Sequence, residues 1–184
     1  RVMQTVKAGD TIWLDAGLYG SDTWELISAT ETAAVNLDTD NLALIGVDSG
    51  TTVIDPAGAK TLTGLFGIYA DTQTGLVIKN IGVTGAYDGI RWLNVDRSTL
   101  SGDSVSSNGN YGVYLLNGSD TNTLTNIISR NNSDAGFRLL NSGGGTLTGN
   151  SSQNNSLDGF FLDNSSNNAL TNNSSQNNTW YGFR

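Results

Sequence analysis

The 184-residue chain contains no cysteine and no histidine. Disulfide stapling is therefore excluded, and so are thiolate or imidazole metal sites. A single proline rules out a proline-rich linker. Charged residues make up only 14%, too few for a chain kept unfolded by its own charge, and 8% of the residues are aromatic. No stretch approaches the roughly 20 apolar residues of a membrane span. Basic residues are scarce as well: the net charge is −8, and a phosphate backbone needs a basic face, so no nucleic-acid partner is expected. What fills the chain instead is Gly, Asn, Ser and Thr, all poor helix formers. The composition points to a folded, β-rich protein.

A repeat dominates the sequence. Glycines 67, 89, 112, 136, 159 and 182 are separated by 22 to 24 residues, and each opens a similar segment: GIYAD, GIRWLN, GVYLLN, GFRLLN, GFFLDN, GFR. A second landmark, Leu76, Leu100, Leu124, Leu147 and Leu170, shares the period. Side chains alternate along a strand. Ile68, Ile90, Val113, Phe137, Phe160 and Phe183 should therefore share a face with Ala70, Trp92, Leu115, Leu139 and Leu162. Between them, Tyr69, Arg91, Tyr114, Arg138, Phe161 and Arg184 should point outward. A period of about 23 residues leaves no room for a crossover helix, so each strand must pair in parallel with its equivalent one coil later, ~4.8 Å away. The expected fold is an all-β parallel β-helix. Residues 1–66 should form irregular first coils and 67–184 the regular asparagine-rich ones, in one domain spanning 1–184.

Like residues stack on like in such a solenoid. Asn94, Asn117, Asn141 and Asn164 form one expected ladder at a coil corner, where asparagine tolerates the left-handed conformation. Asn131/Asn154/Asn177, Asn132/Asn155/Asn178 and Asn150/Asn173 form others. Eight N-x-S/T sequons occur, at Asn117, Asn131, Asn150, Asn154, Asn164, Asn172, Asn173 and Asn177, many of them accidents of an Asn/Ser-rich repeat.

With these segments in view, the sequence resembles the right-handed parallel β-helix superfamily, the pectate-lyase-like group with short GI-x-L-x-N repeats. AGDTIWLDAGLYG is similar to that group's first coil, NLALIGVDSGTTVID to the next, and GLVIKNIGVTGAYDGI to the start of the regular repeats. The resemblance covers nearly the whole chain and implies a fold rather than a function, because this architecture carries lyases, hydrolases, esterases, epimerases and non-enzymes. Lyases of the group use Arg or Lys as base, with Ca²⁺ on clustered acids. Arg91, Arg138 and Arg184 are the residues to suspect under that reading, with Asp88, Asp134 and Asp158 near the strand starts. These aspartates read as solvated turn residues, and no compact acid triplet emerges. Hydrolase motifs are absent.

The row Tyr69, Arg91, Tyr114, Arg138, Phe161, Arg184 is the main surface candidate. It serves either as a stabilising cation–π ladder or as a carbohydrate-binding platform on which rings stack on pyranoses. Two functional readings stand. One is a non-catalytic extracellular or cell-surface module, a rod of a filament, fibre or adhesin that contacts glycans, with no cofactor and no metal. The other is a polysaccharide lyase or related carbohydrate-active enzyme, with Ca²⁺ as its cofactor; an acidic pocket formed beside the strands by the 20–40 loop would favour it. The absence of His, and Met3 as the one thioether, counts against metal handling. The chain opens on RVMQTVKAGD, which suits the last turn of an apolar-faced helix, and ends at YGFR in mid-strand. It therefore reads as a fragment of a longer chain, with further coils or another copy expected against its ends.

Overall fold

A computed structural model describes residues 6–20, 25–28, 30–56 and 63–184. The described residues contain strands and no helix. The helical turn expected over residues 1–10 lies partly outside them. Within them, Lys7 and Asp10 close a turn, the Asp10 N–H donating to the Lys7 carbonyl at 3.0 Å.

Among the described residues, twenty-one short strands form three seven-stranded sheets. The first sheet stacks Thr11–Leu14, Ala43–Gly46, Val77–Lys79, Thr99–Ser101, Thr123–Thr125, Thr146–Thr148 and Ala169–Thr171. The second stacks Gly17–Tyr19, Thr52–Ile54, Gly82–Thr84, Ser104–Ser106, Ile128–Arg130, Ser151–Gln153 and Ser174–Gln176. The third runs from Glu25–Leu26 through Thr32–Leu37, Leu65–Asp71, Ile90–Leu93, Val113–Leu116 and Phe137–Leu140 to Phe160–Asp163. Every pairing is parallel except that of Glu25–Leu26 with Thr32–Leu37, which is antiparallel. The chain visits the three sheets in turn, once per coil, and so builds a parallel β-solenoid.

The lumen is filled by the alternate residues of each strand. Ile68, Ile90, Val113, Phe137 and Phe160 stack in register, all at 0% exposure. Phe137, Phe160 and Phe183 lie ring on ring at 4.6 and 4.7 Å, within 2° of parallel. Such pairs add about 0.5–1.5 kcal/mol each beyond the burial of their area. The leucine column needs one correction. Leu100 pairs with Ile78, not Leu76, so the column runs Leu44, Ile78, Leu100, Leu124, Leu147, Leu170. Leu76 belongs to the neighbouring corner column, where its N–H donates to Ser98 Oγ at 2.9 Å.

Most polar residues enter the lumen as closed columns, as an unpaired buried amide would cost about 1–3 kcal/mol. Asn108, Asn132, Asn155 and Asn178 stack at one corner, each Nδ2 donating to the next Oδ1 at 2.9–3.0 Å. Asn150 donates likewise to Asn173 at 3.0 Å. Asn131, Asn154 and Asn177, one residue earlier, instead form exposed corners with φ near +55°. At the corner between the first and second sheets, Asn80, Gly102, Asn126, Gly149 and Asn172 follow one another, all with positive φ. The glycines make room for the asparagines: a Cβ on Gly149 would lie 2.6 Å from Asn126 Oδ1, and one on Gly102 2.7 Å from Asn80 Oδ1.

One inner corner column breaks this polar economy. It runs Ile81, Asp103, Ile127, Asn150, Asn173. Asn150 and Asn173 send Nδ2 to the carbonyls of Leu124 and Leu147 at 2.9 and 2.7 Å. Asp103 accepts from the Ile81 N–H through Oδ1 at 2.9 Å, but its Oδ2 is buried with no partner. Burial holds this carboxyl well above the usual carboxylate range.

Candidate functional site

The outer face of the third sheet carries the side chains that the lumen does not take. Register places Tyr69, Arg91, Tyr114, Arg138 and Phe161 in one row, and the bridge from Phe160 to Phe183 sets Arg184 beyond Phe161. The Arg91 guanidinium carbon sits 4.9 Å from the ring centres of both Phe66 and Tyr114. Arg138 lies 3.5 Å from the Phe161 ring centre and Arg184 4.4 Å from it on the other side. Tyr111 leans on Tyr114 at 4.7 Å.

The row is not an open platform along its whole length. Tyr69 is only 4% exposed and stacks on Phe66 at 5.5 Å. Together with Ala33, Ile27 and Tyr87 these rings make a second small core outside the lumen. The antiparallel return of residues 25–28 onto Thr32–Leu37 brings Ile27 over this spot. A buried ring cannot stack on a sugar, so Tyr69 cannot serve the carbohydrate-binding platform expected of the row. Burial, with Asp71 and Glu31 nearby, pushes its hydroxyl up to about 12. Arg138 is 8% exposed, its Nε and Nη1 buried without a partner.

The aspartates at the strand starts are also not the solvated turn residues expected. Asp88 is fully buried and Asp158 is 1% exposed. Asp88 Oδ2 accepts from Arg91 Nη1 at 2.8 Å, while its Oδ1 accepts from Asn110 Nδ2 at 2.8 Å and the Tyr111 N–H at 3.3 Å. Desolvation still outweighs these partners and raises its pKa. Arg138 Nη2 donates to Asp163 Oδ2 at 2.9 Å, and Arg184 Nη1 lies 3.6 Å from Asp158 Oδ2. Asp134, half-buried at the rim, is shifted upward mainly by desolvation.

Beside Arg91 the face opens into a cleft of about 330 Å³, lined by Thr30, Glu31, Thr63, Gly64, Phe66, Tyr87 and Arg91. That volume falls at the lower end of small-ligand pockets. From the cleft a second column, Tyr87, Asn110, Asp134, Leu157, Trp180, runs beside the row, linked by backbone hydrogen bonds of 2.8–3.2 Å. The site thus joins one or two rings, a guanidinium and a carboxylate at the cleft, with further aromatic and acidic groups along the solenoid. It offers apolar faces and hydrogen-bond acceptors. No group of three or more acidic residues that could hold a metal ion occurs among the described residues.

The sequence pattern supplied the row but not Glu31, Phe66, Tyr87 or Tyr111. Tyr87 and Tyr111 stand two and one residues before a repeat glycine, in two adjacent columns that the repeat alignment contains. Glu31 carries no periodic signal, since it precedes the regular coils. Asn94, Asn117, Asn141 and Asn164 stand away from the cleft at exposed corners, each with φ near +50°, and Asn164 Nδ2 donates to Asn141 Oδ1 at 2.6 Å.

The family described as a right-handed beta helix region matches residues 66–184. No curated protein matches the sequence. In fold, the chain is similar to pectate lyase Pel9A, with a TM-score of 0.71 and 20% identity over 88% of this chain and 43% of that one. It is also similar to the catalytic domain of a GH87 alpha-1,3-glucanase in complex with tetrasaccharides, with a TM-score of 0.58 and 16% identity over 92% and 38%. ORF18 of Geobacillus virus E2 gives a TM-score of 0.60 and 13% identity over 97% and 47%. The chain spans less than half the length of each of these structures.

Proposed function

Because the chain belongs to the family of right-handed β-helix regions, we propose that it is a non-catalytic module. It is a stiff rod of an extracellular or cell-surface protein, and the outer face of its third sheet contacts a polysaccharide. The observation that carries this reading is the cleft at Tyr87 and Arg91, continued by the half-exposed rings of Tyr111 and Tyr114 along the solenoid. Edges and faces of half-exposed aromatics suit pyranose rings, and the rigid coil spacing of ~4.8 Å fixes their separations. Two structures of the same fold, a pectate lyase and a glucanase with bound tetrasaccharides, are named for polysaccharide substrates or ligands. Surface, filament, fibre and adhesin settings belong to the same proposal.

The second reading, a polysaccharide lyase, is favoured by one observation: Glu31 and Arg91 line the same cleft. Against it, the guanidinium of Arg91 is tied to a buried carboxylate at 2.8 Å. A lyase base must reach the substrate's proton, and here Nη1 is already engaged by Asp88. The two readings separate in one experiment. The protein is incubated with uronate polymers, with and without Ca²⁺, while absorbance of unsaturated product is followed, and binding is measured by affinity electrophoresis. Retardation on a polysaccharide gel without product is the expected result. Turnover that disappears on Arg91→Ala would establish the lyase instead.

A further inference from the structure

The same face carries a charge balance that selects among polysaccharides, an inference that rests on the glycan-contacting reading above. Six carboxylates stand on it or at its rim: Glu31, Asp71, Asp88, Asp134, Asp158 and Asp163. They face three guanidiniums, Arg91, Arg138 and Arg184, leaving an excess of three negative charges.

Each guanidinium already has its own carboxylate: Arg91 with Asp88, Arg138 with Asp163, Arg184 with Asp158. The nitrogens of Arg138 left over, Nε and Nη1, are buried beyond the reach of a polymer. Glu31 in the cleft and Asp134 at the rim have no ion pair among the described residues. Neither has a cation of its own: Arg91, which lines the cleft with Glu31, is paired with Asp88, and Arg138 is paired with Asp163. The chain as a whole, at −8, adds to the field rather than opposing it.

We infer that this surface selects a neutral polysaccharide and rejects polyuronates and other polyanions. Sugar hydroxyls donate to Glu31 and Asp134, while the rings of Tyr87, Tyr111 and Tyr114 cover apolar faces of the pyranoses. A uronate chain would bring one further negative charge per residue to a face on which carboxylates already outnumber guanidiniums. Within a Debye length of ~8 Å that repulsion is felt at physiological salt. Arginines on a carbohydrate surface suggest acid recognition, but here each is paired with a carboxylate of the protein.

The test is affinity electrophoresis of the whole chain against a panel of neutral glucans, galactans, xylans and mannans and of uronans, at low and high salt. The expected result is retention by at least one neutral polymer, insensitive to salt, with every uronan at least about tenfold weaker. In E31Q/D134N the gap between neutral and acidic polymers should narrow. Retention by a uronan equal to that by the best neutral polymer, weakening with salt, overturns the charge selection and leaves glycan binding intact. A gap unchanged in E31Q/D134N also overturns it, because charge would not be the selector. Retention by no polymer overturns the glycan reading itself, and the inference with it.

Discussion

The guanidinium of Arg138 lies against the ring of Phe161 one coil away, 3.5 Å from its centre, and reaches past it to Asp163 at 2.9 Å. Arg138 is 8% exposed, so this is a cation held on the outside of a solenoid yet sealed from water. Phe161→Ala removes the seal and the cation–π contact together. The expected loss is about 1–3 kcal/mol, from a desolvated cation–π contact and a half-buried ring. Phe161→Leu, which keeps the cover, should lose less. Urea denaturation midpoints of the two variants measure the difference.

Asn131 and Asn132 are neighbours in sequence with opposite duties. Asn132 is 1% exposed; its Oδ1 accepts from the N–H and the amide of Asn108, and its Nδ2 donates to Asn155 Oδ1 and Ser129 Oγ. Asn132→Ala strands several buried groups and should cost about 3–5 kcal/mol. Asn131 is an exposed corner with φ +56°, a conformation glycine adopts freely. Asn131→Gly should therefore change stability by less than about 1 kcal/mol. Thermal unfolding of both variants checks the contrast.

Asp103→Asn should stabilise the protein at neutral pH. The asparagine supplies the N–H that Asn150 and Asn173 use in the same column, where Asp103 leaves Oδ2 bare. Because burial raises the folded-state pKa of Asp103, its neutral form is favoured in the fold. Below the unfolded value of about 4 the group is neutral in both states and costs nothing extra. As pH rises above that value the unfolded chain ionises more readily, and stability falls until the folded pKa is passed. The gain from Asp103→Asn, about 1–3 kcal/mol, should be present at pH 7 and shrink toward pH 3.5. Melting temperatures of both proteins across this range test it; a gain independent of pH would assign the effect to packing.

Gly149→Ala should destabilise through two additive causes. The backbone φ is +66°, which costs an L residue about 1 kcal/mol or more, and the new Cβ meets Asn126 Oδ1 at 2.6 Å. In an Asn126→Gly background the second cause is gone and only the first remains. A double-mutant cycle read by denaturation midpoints should therefore show a favourable coupling between the two sites.

Much of this was legible in the sequence, because a solenoid writes its geometry as a period. Glycines and the apolar residues after them gave the third sheet in its correct register from Ile68 to Phe160. The leucine column slipped at its first step because Leu76 and Ile78 offer equal hydrophobicity two residues apart, and nothing local says which enters the strand. Asn108 escaped notice because its coil lacks the Asn-Asn pair that marks the later rungs. Burial of Asp88 was hidden for a different reason. An aspartate before a glycine reads as a turn, and only the arrival of Asn110 and Arg91 makes its burial tolerable. The cleft depends on residues 30–31 and 63–64, which come together only when the coils stack.

The asparagine–glycine corner and the aromatic–arginine row share a consequence. Coils bearing Arg91 and Arg138 have glycine at that corner, Gly102 and Gly149; coils bearing Tyr69, Tyr114 and Phe161 have Asn80, Asn126 and Asn172. The backbone has a unit cell of one coil, whereas the chemistry has a superlattice of two. Excising a single coil would set glycine on glycine, or asparagine on asparagine, and put arginine against arginine or ring against ring. Excising two would leave both alternations in phase. Such a chain can lengthen or shorten without penalty only by even numbers of coils.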